Sequence, residues 1–368
     1  MNFKIPYYGL DRFYKQNKDI ILQLTDISFN EGQFLDGAEI KEFETLISSY
    51  CNRKYAVTVS SCSDALYFSL LSLNIGFDDE VLLPSFSFIA TLNSVLRTGA
   101  TPVFLDVDNI NFTISLEEIK QKRTAKTKAL ILVPLFGLSY DYTEIELWCK
   151  KENIFVIEDA SQAIGTMYNG KPSGSWGELS CLSFDPSKII HAFGTGGAIL
   201  TNNEQLYYKL KRIRYQGKEK DDFIEKGFNS RISTLQAKLL LWQMDNIEKI
   251  VEKRQKIAQK YFSELAEINK LSFPVINSKV FPTYHKFVIF SRQRDKLKSY
   301  LQQNGIQTFI HYPKLLFEYS LMKDCFYKAE NIAQANDLCK KVLSLPLYPE
   351  LTEEEIQFIC KIIKSFYL

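Results

Sequence analysis

Short apolar runs alternate with segments of helical periodicity along the first half of the chain, and this alternation restricts the possible folds more than any other feature. The runs are rich in β-branched and aromatic residues, which is typical of buried strands. Strand-like runs lie at Tyr55–Val59, Val81–Leu83, Thr101–Asp106 and Ala129–Pro134, and helical segments lie at Ala65–Leu73, Leu116–Lys122 and Tyr142–Lys151. This order predicts an α/β fold with a mostly parallel sheet that is covered by helices on both faces.

The central part of the chain carries reactive side chains directly after its strand-like runs. The run Ile154–Ile157 ends in Glu158 and Asp159, and a second run, Cys181–Phe184, is followed closely by Lys188. Ligands of open α/β sheets bind beyond the carboxyl ends of the strands. We therefore expect a ligand site that contains strand-end carboxylates and one lysine.

A lysine near a strand-end carboxylate suits pyridoxal 5'-phosphate (PLP). A lysine amine forms a Schiff base with the cofactor aldehyde, and a carboxylate at the pyridine nitrogen keeps that nitrogen protonated. Lys188 and Asp159 could serve in these two roles, with the Ser183 hydroxyl close to the lysine. A solvated surface lysine and a strand-capping aspartate are the competing interpretation, and the spacing alone favours neither.

Three further segments carry candidate binding residues. Ser61, Cys62 and Ser63 lie between a strand and a helix, where unpaired backbone N–H groups and the helix dipole favour a phosphate. Ordinary N-capping explains the same serines. Phe88 follows a strand and could stack on a flat ring or belong to the core. The residues Asn229 and Arg231 precede a helix and could contact an anion or simply be solvated.

Composition restricts the class of protein. The chain has 368 residues, a net charge of +2, seven cysteines and three histidines. A net charge this small does not indicate nucleic-acid binding. No apolar run approaches the roughly 20 residues that cross a bilayer. The cysteines show no CxxC pairing, so neither a disulfide framework nor a metal centre is expected. The sequence predicts a cytoplasmic enzyme without a nucleic-acid or membrane partner.

The pattern changes after a long helical segment, which is predicted from Thr234 to about Leu265. We expect two domains, a large α/β domain at residues 1–245 with the N-terminal segment, and a small α+β domain at residues 246–368. In the second, strands are predicted at Phe287–Phe290 and Gly305–Ile310. Helices are predicted at Asp295–Gln303, Ala329–Leu343 and Glu353–Phe366.

The ordered motifs together resemble those of one family. They include SCSDAL at Ser61–Leu66, PSFSFIAT at Pro84–Thr91, IEDASQ at Ile157–Gln162, SFDPSK at Ser183–Lys188, GFNSR at Gly227–Arg231 and HYP at His311–Pro313. These motifs make the chain similar to the sugar-nucleotide aminotransferases of the DegT/DnrJ/EryC1/StrS family. The resemblance runs from about residue 32 to the C-terminus. It implies the aspartate-aminotransferase fold (fold type I of PLP enzymes) and a homodimer with shared active sites.

The resemblance also assigns roles to residues. It makes Lys188 the Schiff-base lysine and Asp159 the partner of the pyridine nitrogen. Around these two it places a set of cofactor-binding and sugar-binding side chains. Of the PLP groups, the phenolic oxygen would be near Gln162, the ring would stack on Phe88, and the phosphate would be bound by Cys62, Ser63 and Ser183. Asn229 would reach the phosphate in the neighbouring subunit, and the sugar side would have His311, Tyr312 and Arg231.

The reaction that the resemblance implies is amino transfer. Glutamate converts PLP to pyridoxamine phosphate, and the amine passes to a keto group of a nucleotide-linked keto-6-deoxyhexose, with dTDP as the expected nucleotide. The product is an amino sugar for glycans such as the O-antigen of lipopolysaccharide. The resemblance leaves open whether C3 or C4 is aminated, although a serine at position 230 is more like the family's 3-keto enzymes.

Two other functions are compatible with the same family. Its sugar dehydratases carry a histidine in place of the lysine, and Lys188 argues against that reaction. A regulatory protein without turnover would not need Lys188, Asp159 and Ser183 together. The chain also departs from the family pattern at Cys62, where glycine is usual, and at Thr195, where aspartate is usual. Either Cys62 has ordinary backbone dihedrals or its loop is shifted.

Overall fold

The computed structural model describes residues 3–368. Its helices are α1 (Leu10–Glu31), α2 (Ala38–Tyr50), α3 (Cys62–Ser72), α4 (Ile89–Thr98), α5 (Leu116–Lys122), α6 (Thr143–Lys151), α7 (Glu204–Arg214), α8 (Thr234–Met244), α9 (Ile247–Leu265), α10 (Arg294–Gln303), α11 (Gln334–Lys341) and α12 (Glu353–Tyr367). Its strands are β1 (Tyr55–Val59), β2 (Glu80–Pro84), β3 (Thr101–Leu105), β4 (Thr127–Leu132), β5 (Phe155–Asp159), β6 (Met167–Tyr168), β7 (Lys171–Pro172), β8 (Leu179–Ser183), β9 (Gly197–Thr201), β10 (Lys218–Glu219), β11 (Asp222–Phe223), β12 (Leu271–Ser272), β13 (Val280–Phe281), β14 (Phe287–Ser291) and β15 (Val342–Leu345).

A seven-stranded sheet in the order β1-β9-β8-β5-β4-β2-β3 forms the centre of the molecule. The pairings from β8 through β5, β4 and β2 to β3 are parallel. Only β9 runs antiparallel to its neighbours β1 and β8. The predicted mostly parallel α/β sheet is therefore confirmed, and the carboxyl ends of β5 and β8 lie side by side at one edge.

Apolar residues on both faces of the sheet explain why its strands read as continuous hydrophobic runs. On one face α3 packs against β1, β8 and β9, and its Leu66 and Phe68 are buried with Val57 and Ile131. On the other face α2 packs against β1 and α8. This two-sided packing holds the strand ends, and the side chains that follow them, in fixed positions.

One predicted helix is divided in two. The segment from Thr234 to about Leu265 was expected to be continuous, but α8 ends at Met244 and α9 begins at Ile247. Asn246 has non-helical dihedrals (φ −116°, ψ 8°), and its side-chain amide donates to the carbonyl of Trp242 at 3.2 Å. An asparagine that bonds the local backbone competes with the helix, which accounts for the break.

Two predicted elements near the C-terminus are wrong. Gly305–Ile310 forms no strand and makes only isolated bridges, from Ile306 to Ile5 and from Phe309 to Ser344. The helix predicted at Ala329–Leu343 begins only at Gln334, and its last residues belong to β15, which pairs with β14. A strand that gains a partner from a distant part of the chain overrides helical periodicity. The long α1 was not predicted.

The C-terminal elements build a second hydrophobic core around a three-stranded sheet, β12-β14-β15. Phe287, Leu343 and Ile359 are buried there together with Tyr261 from α9. The boundary between two domains at residue 245 stays a prediction. Among residues 3–368, no helix is both long enough and apolar enough to cross a membrane.

Candidate active site

A cavity of about 270 Å³ opens at the carboxyl ends of β5 and β8 and at the N-terminus of α3. Two groups of residues line it. The sheet wall comprises Ser61, Cys62, Ser63, Phe88, Asp159, Gln162, Ser183 and Lys188, and the C-terminal wall comprises His285, Lys286, His311 and Tyr312. The structure thus brings together nine of the eleven residues to which the resemblance assigned roles, all except Asn229 and Arg231.

Asp159 is the last residue of β5 and is only 3% exposed. Its Oδ2 accepts a hydrogen bond from the Thr91 hydroxyl at 2.8 Å, and its Oδ1 accepts one from the Ser161 backbone N–H at 3.3 Å. No arginine or lysine forms an ion pair with this carboxylate within the described residues 3–368. A buried carboxylate without a cationic partner is ready to bind a protonated nitrogen of a ligand.

The neighbouring Glu158 points to the opposite face of the sheet, because side chains alternate along a strand. Its Oε2 accepts hydrogen bonds from the backbone N–H groups of Gly174 and Trp176 at 2.8 and 3.1 Å. Burial raises the pKa of Glu158 to about 7. Of the two adjacent carboxylates only Asp159 therefore lines the cavity, and Glu158 holds the backbone behind it.

A tight turn after β8 carries Lys188 into the cavity. The Asp185 carboxylate accepts hydrogen bonds from the backbone N–H and hydroxyl of Ser187 at 2.9 and 2.6 Å, and the Lys188 N–H donates to the Asp185 carbonyl at 2.9 Å. Burial lowers the pKa of the Lys188 amine below its ordinary value. A larger fraction of the amine is then neutral, which makes it a better nucleophile.

The segment Ser61–Ser63 forms the start of α3. The Ser61 hydroxyl caps the helix by accepting the Asp64 N–H at 3.1 Å. Cys62 is the first helical residue and is absent from the residues with positive φ, so the ordinary-dihedral alternative holds at this departure from the family pattern. A Cβ at Gly197 would lie 2.6 Å from the Cys62 nitrogen, so only glycine lets β9 approach this turn.

Hydrogen bonds join the two walls of the cavity. Gln162 accepts the Phe136 backbone N–H at 3.1 Å and donates from its Nε2 to the Tyr312 hydroxyl at 3.2 Å. Its Oε1 also lies 3.2 Å from Nδ1 of His285. Burial lowers the pKa of His311 to about 2, so this ring is neutral, and its Nδ1 lies 2.9 Å from the Ser344 hydroxyl.

Asn229 and Arg231 lie outside the cavity of their own chain. Asn229 is exposed and forms an isolated bridge with Tyr215. The Arg231 guanidinium binds Asp36 at 2.6 Å and lies over the Tyr215 ring. Between them, Ser230 is buried and donates to Asp64. The roles predicted for Asn229 and Arg231 therefore stay predictions.

Several residues at the cavity were not predicted. Thr91, whose hydroxyl donates to Asp159, is the last residue of the PSFSFIAT motif. Its position shortly after a strand-like run was the available signal. His285 precedes β14 and is one of only three histidines, which was a weaker signal. Lys286 and Tyr8 carried none, because they reach the cavity only through packing between distant segments.

Comparison with known proteins identifies the family. The sequence profile of the DegT/DnrJ/EryC1/StrS aminotransferase family matches residues 15–364. The chain belongs to this family. It is an aminotransferase, and its cofactor is pyridoxal phosphate.

Curated relatives match nearly the whole chain. A "pleiotropic regulatory protein" of Geobacillus stearothermophilus is 34% identical over 99% of this chain and 98% of its own length. A dTDP-3-amino-3,6-dideoxy-alpha-D-galactopyranose transaminase of Aneurinibacillus thermoaerophilus is 32% identical over 98% and 99%. A UDP-N-acetyl-3-dehydro-alpha-D-glucosamine 3-aminotransferase of Acidithiobacillus ferrooxidans is 33% identical over 99% and 98%.

A solved structure agrees with the fold. The crystal structure of DesV of S. venezuelae, in complex with a ketimine intermediate, superposes with a TM-score of 0.95 at 29% identity and covers 99% of this chain and 98% of that one. The aspartate-aminotransferase-like architecture predicted from the motifs is therefore confirmed.

Proposed function

We propose that this aminotransferase moves an amino group from glutamate to the C3 keto group of a nucleotide-linked keto sugar, in the synthesis of amino sugars for glycans such as an O-antigen. The observation that carries the proposal is the pair of Lys188 and Asp159, a lysine amine and a buried carboxylate that face one cavity from neighbouring strand ends. Family membership supplies the reaction class.

The residues of the cavity fit PLP. Asp159 would bind the pyridine nitrogen, Gln162 would lie at the phenolic oxygen, and Phe88 would cover the ring. The start of α3, at Cys62 and Ser63, would hold the phosphate together with the Ser183 hydroxyl, because all three line the cavity and the helix dipole favours an anion. When bound, PLP supplies an electron sink for a carbanion next to the transferred nitrogen.

Lys188 performs the proton transfers in this proposal. Its amine sits at the end of a turn that Asp185 fixes, and burial lowers the pKa of that amine. A base with a pKa nearer to neutrality takes and returns protons more efficiently. Asp159 is held in place by Thr91, so its negative charge stays directed into the cavity. His311 is neutral and available for a hydroxyl of the sugar.

The C3 position and the nucleotide are the finer parts of the proposal. Both sugar-aminotransferase relatives described above act at C3 according to their names, one on a dTDP sugar and one on a UDP sugar. Ser230 donates a hydrogen bond to Asp64 and does not line the cavity of its own chain, so the C3 position rests on the relatives' names. We propose a dTDP-3-keto-6-deoxyhexose as substrate, with a UDP sugar as the alternative.

The assembly is proposed to be a homodimer with two shared sites, in the cytoplasm, with a large domain at 1–245 and a small one at 246–368. Asn229 would reach the phosphate in the neighbouring subunit, since its exposed side chain does not reach the cavity of its own chain. Arg231 would approach the sugar side from the same loop.

One experiment tests the function and its alternatives. Purified protein loaded with PLP is mixed with glutamate and dTDP-3-keto-, dTDP-4-keto- or UDP-3-keto sugars, and the product is assigned by NMR. A 3-amino sugar supports the proposal, and a 4-amino sugar corrects the position. Deoxygenation without amination would indicate a dehydratase. If glutamate does not convert PLP to pyridoxamine phosphate, a regulatory role is favoured, as in the name of one relative.

A further inference from the structure

Lys286 is a buried lysine of the cavity whose amine forms no ion pair within the described residues. Its side chain is only 7% exposed, and it lines the cavity as part of the C-terminal wall. No carboxylate within the described residues 3–368 forms an ion pair with it. Its Nζ lies 5.5 and 5.6 Å from the ring centroids of Tyr7 and Tyr8, which stabilise a cation weakly compared with a carboxylate.

The surroundings add positive charge. Burial lowers the pKa of Lys286 well below its ordinary value, Lys188 and Arg254 lower it further, and Asp185 alone acts in the opposite direction. Arg254 is already satisfied, because its NH2 group donates to the carbonyls of Tyr284 and His285 at 2.9 and 2.8 Å. The charged form of this amine is costly without a partner, and a ligand that brings a carboxylate would stabilise it.

We propose that Lys286 binds a carboxylate of the substrate, and that this is the carboxylate of the amino donor. The inference rests on the proposed amino-acid donor. Among the described residues that line the cavity, the only cations are Lys188 and Lys286, and there is no arginine. Because Lys188 serves the chemistry, Lys286 is the cation that the cavity of this chain offers to an acidic group.

A sugar with a carboxylate presents the same chemistry from a second source. We favour the donor because every amino-acid donor carries a carboxylate next to its amino group, so a cation close to Lys188 is where that carboxylate must arrive. Lys188 and Lys286 line the same cavity, and the charge of Lys188 acts directly on the amine of Lys286. A uronic-acid sugar would need a carboxylate at its sixth carbon instead.

The test compares Lys286→Met, which keeps the length and removes the charge, with Lys286→Arg, which keeps the charge. Binding of glutarate, a dicarboxylate that has no amine and cannot react, is measured by calorimetry on PLP-loaded protein. Loss of one charged hydrogen bond predicts affinity weaker by about 10- to 100-fold in Lys286→Met, with recovery in Lys286→Arg. The glutamate concentration that gives half the maximal rate of conversion of PLP to pyridoxamine phosphate should rise by a similar factor.

Stability separates a binding role from a structural one. Replacing an unpaired buried charge with an apolar side chain is neutral or stabilising, so the melting temperature of Lys286→Met should equal or exceed that of the wild type. The matched control is Lys296→Met on the exposed face of α10, which removes one charge far from the cavity and should change neither affinity.

Other outcomes overturn the inference or redirect it. Unchanged glutarate affinity in Lys286→Met, or a loss in Arg231→Met alone, overturns it while the proposed function stands. If Lys286→Met loses affinity only for nucleotide sugars that carry a carboxylate, the donor assignment is overturned in favour of the sugar. Failure of Lys188 to take up PLP would contradict the proposed function instead, and a glutarate affinity of the cofactor-free protein that depends on Lys286 would still support the carboxylate site.

Discussion

The two walls of the cavity are built in different ways. The sheet wall uses strand ends and a helix start, and its side chains are fixed by nearby backbone, as Asp159 is by Ser161 and Lys188 by Asp185. The C-terminal wall comes from segments distant in sequence, and it carries a buried lysine, Lys286, that forms no ion pair with any residue of the described part of the chain. In the proposed function the hydrogen-bonded sheet wall holds the cofactor, and the unpaired Lys286 of the C-terminal wall contacts the substrate.

The largest effect is expected on the sheet wall, at Lys188. Lys188→Ala removes both the covalent anchor and the base, so turnover should fall on the order of 1000-fold or more. Borohydride reduction followed by peptide mapping should label Lys188 in the wild type. Labelling of another lysine would break the distinction between the two walls, above all if that lysine were Lys286.

A smaller loss is expected at Asp159. Asp159→Asn keeps the shape but leaves no negative charge for the pyridine nitrogen, and electrostatic contributions of this kind are worth about 100-fold or more in rate. The readout is the single-turnover rate with glutamate. Glu158→Gln, on the same strand but outside the cavity, is the matched control and should keep its rate. Equal losses in both variants would contradict the role of Asp159.

A third, smaller effect is expected at Asn229, the residue proposed to act in the neighbouring subunit. Asn229→Ala removes one hydrogen bond to a charged group and should weaken cofactor binding by about ten-fold. Mixing this variant with Lys188→Ala should regenerate sites that contain both native residues, and activity should return. Mixed dimers that exchange subunits and stay inactive would show that both residues serve one site from one chain.

The smallest effect is expected at Tyr312 of the C-terminal wall. Tyr312→Phe removes the hydroxyl that accepts from Gln162 at 3.2 Å, a bond between neutral groups worth about 1 kcal/mol. We expect a change of several-fold, seen in the KM for the sugar more than in the reaction with glutamate. A large loss in the glutamate reaction would mean that the C-terminal wall also positions the cofactor.

The sheet and most of the sheet wall were predictable because they depend on local pattern. Runs such as Tyr55–Val59 and Leu116–Lys122 have the bounds that periodicity predicts. Asp159 ends β5, and Lys188 lies on the turn after β8. The errors fall where distant segments meet. The register of β15 depends on β14, and Lys286 enters the cavity only because its segment packs beside the Phe136 carbonyl, which accepts the Lys286 N–H at 3.3 Å. No periodicity encodes such contacts.

Glu158, the carboxylate behind the cavity, also makes folding a proton-binding event. Its pKa is about 7 in the folded chain and about 4.3 in an unfolded one, so near pH 6 the folded state holds a proton that the unfolded state has released. This contribution to stability is complete below about pH 4 and is lost as the pH rises toward 7. Refolding near pH 6 should therefore consume up to one proton at this site. Its enthalpy should change with the ionisation heat of the buffer, and Glu158→Gln should reduce that dependence.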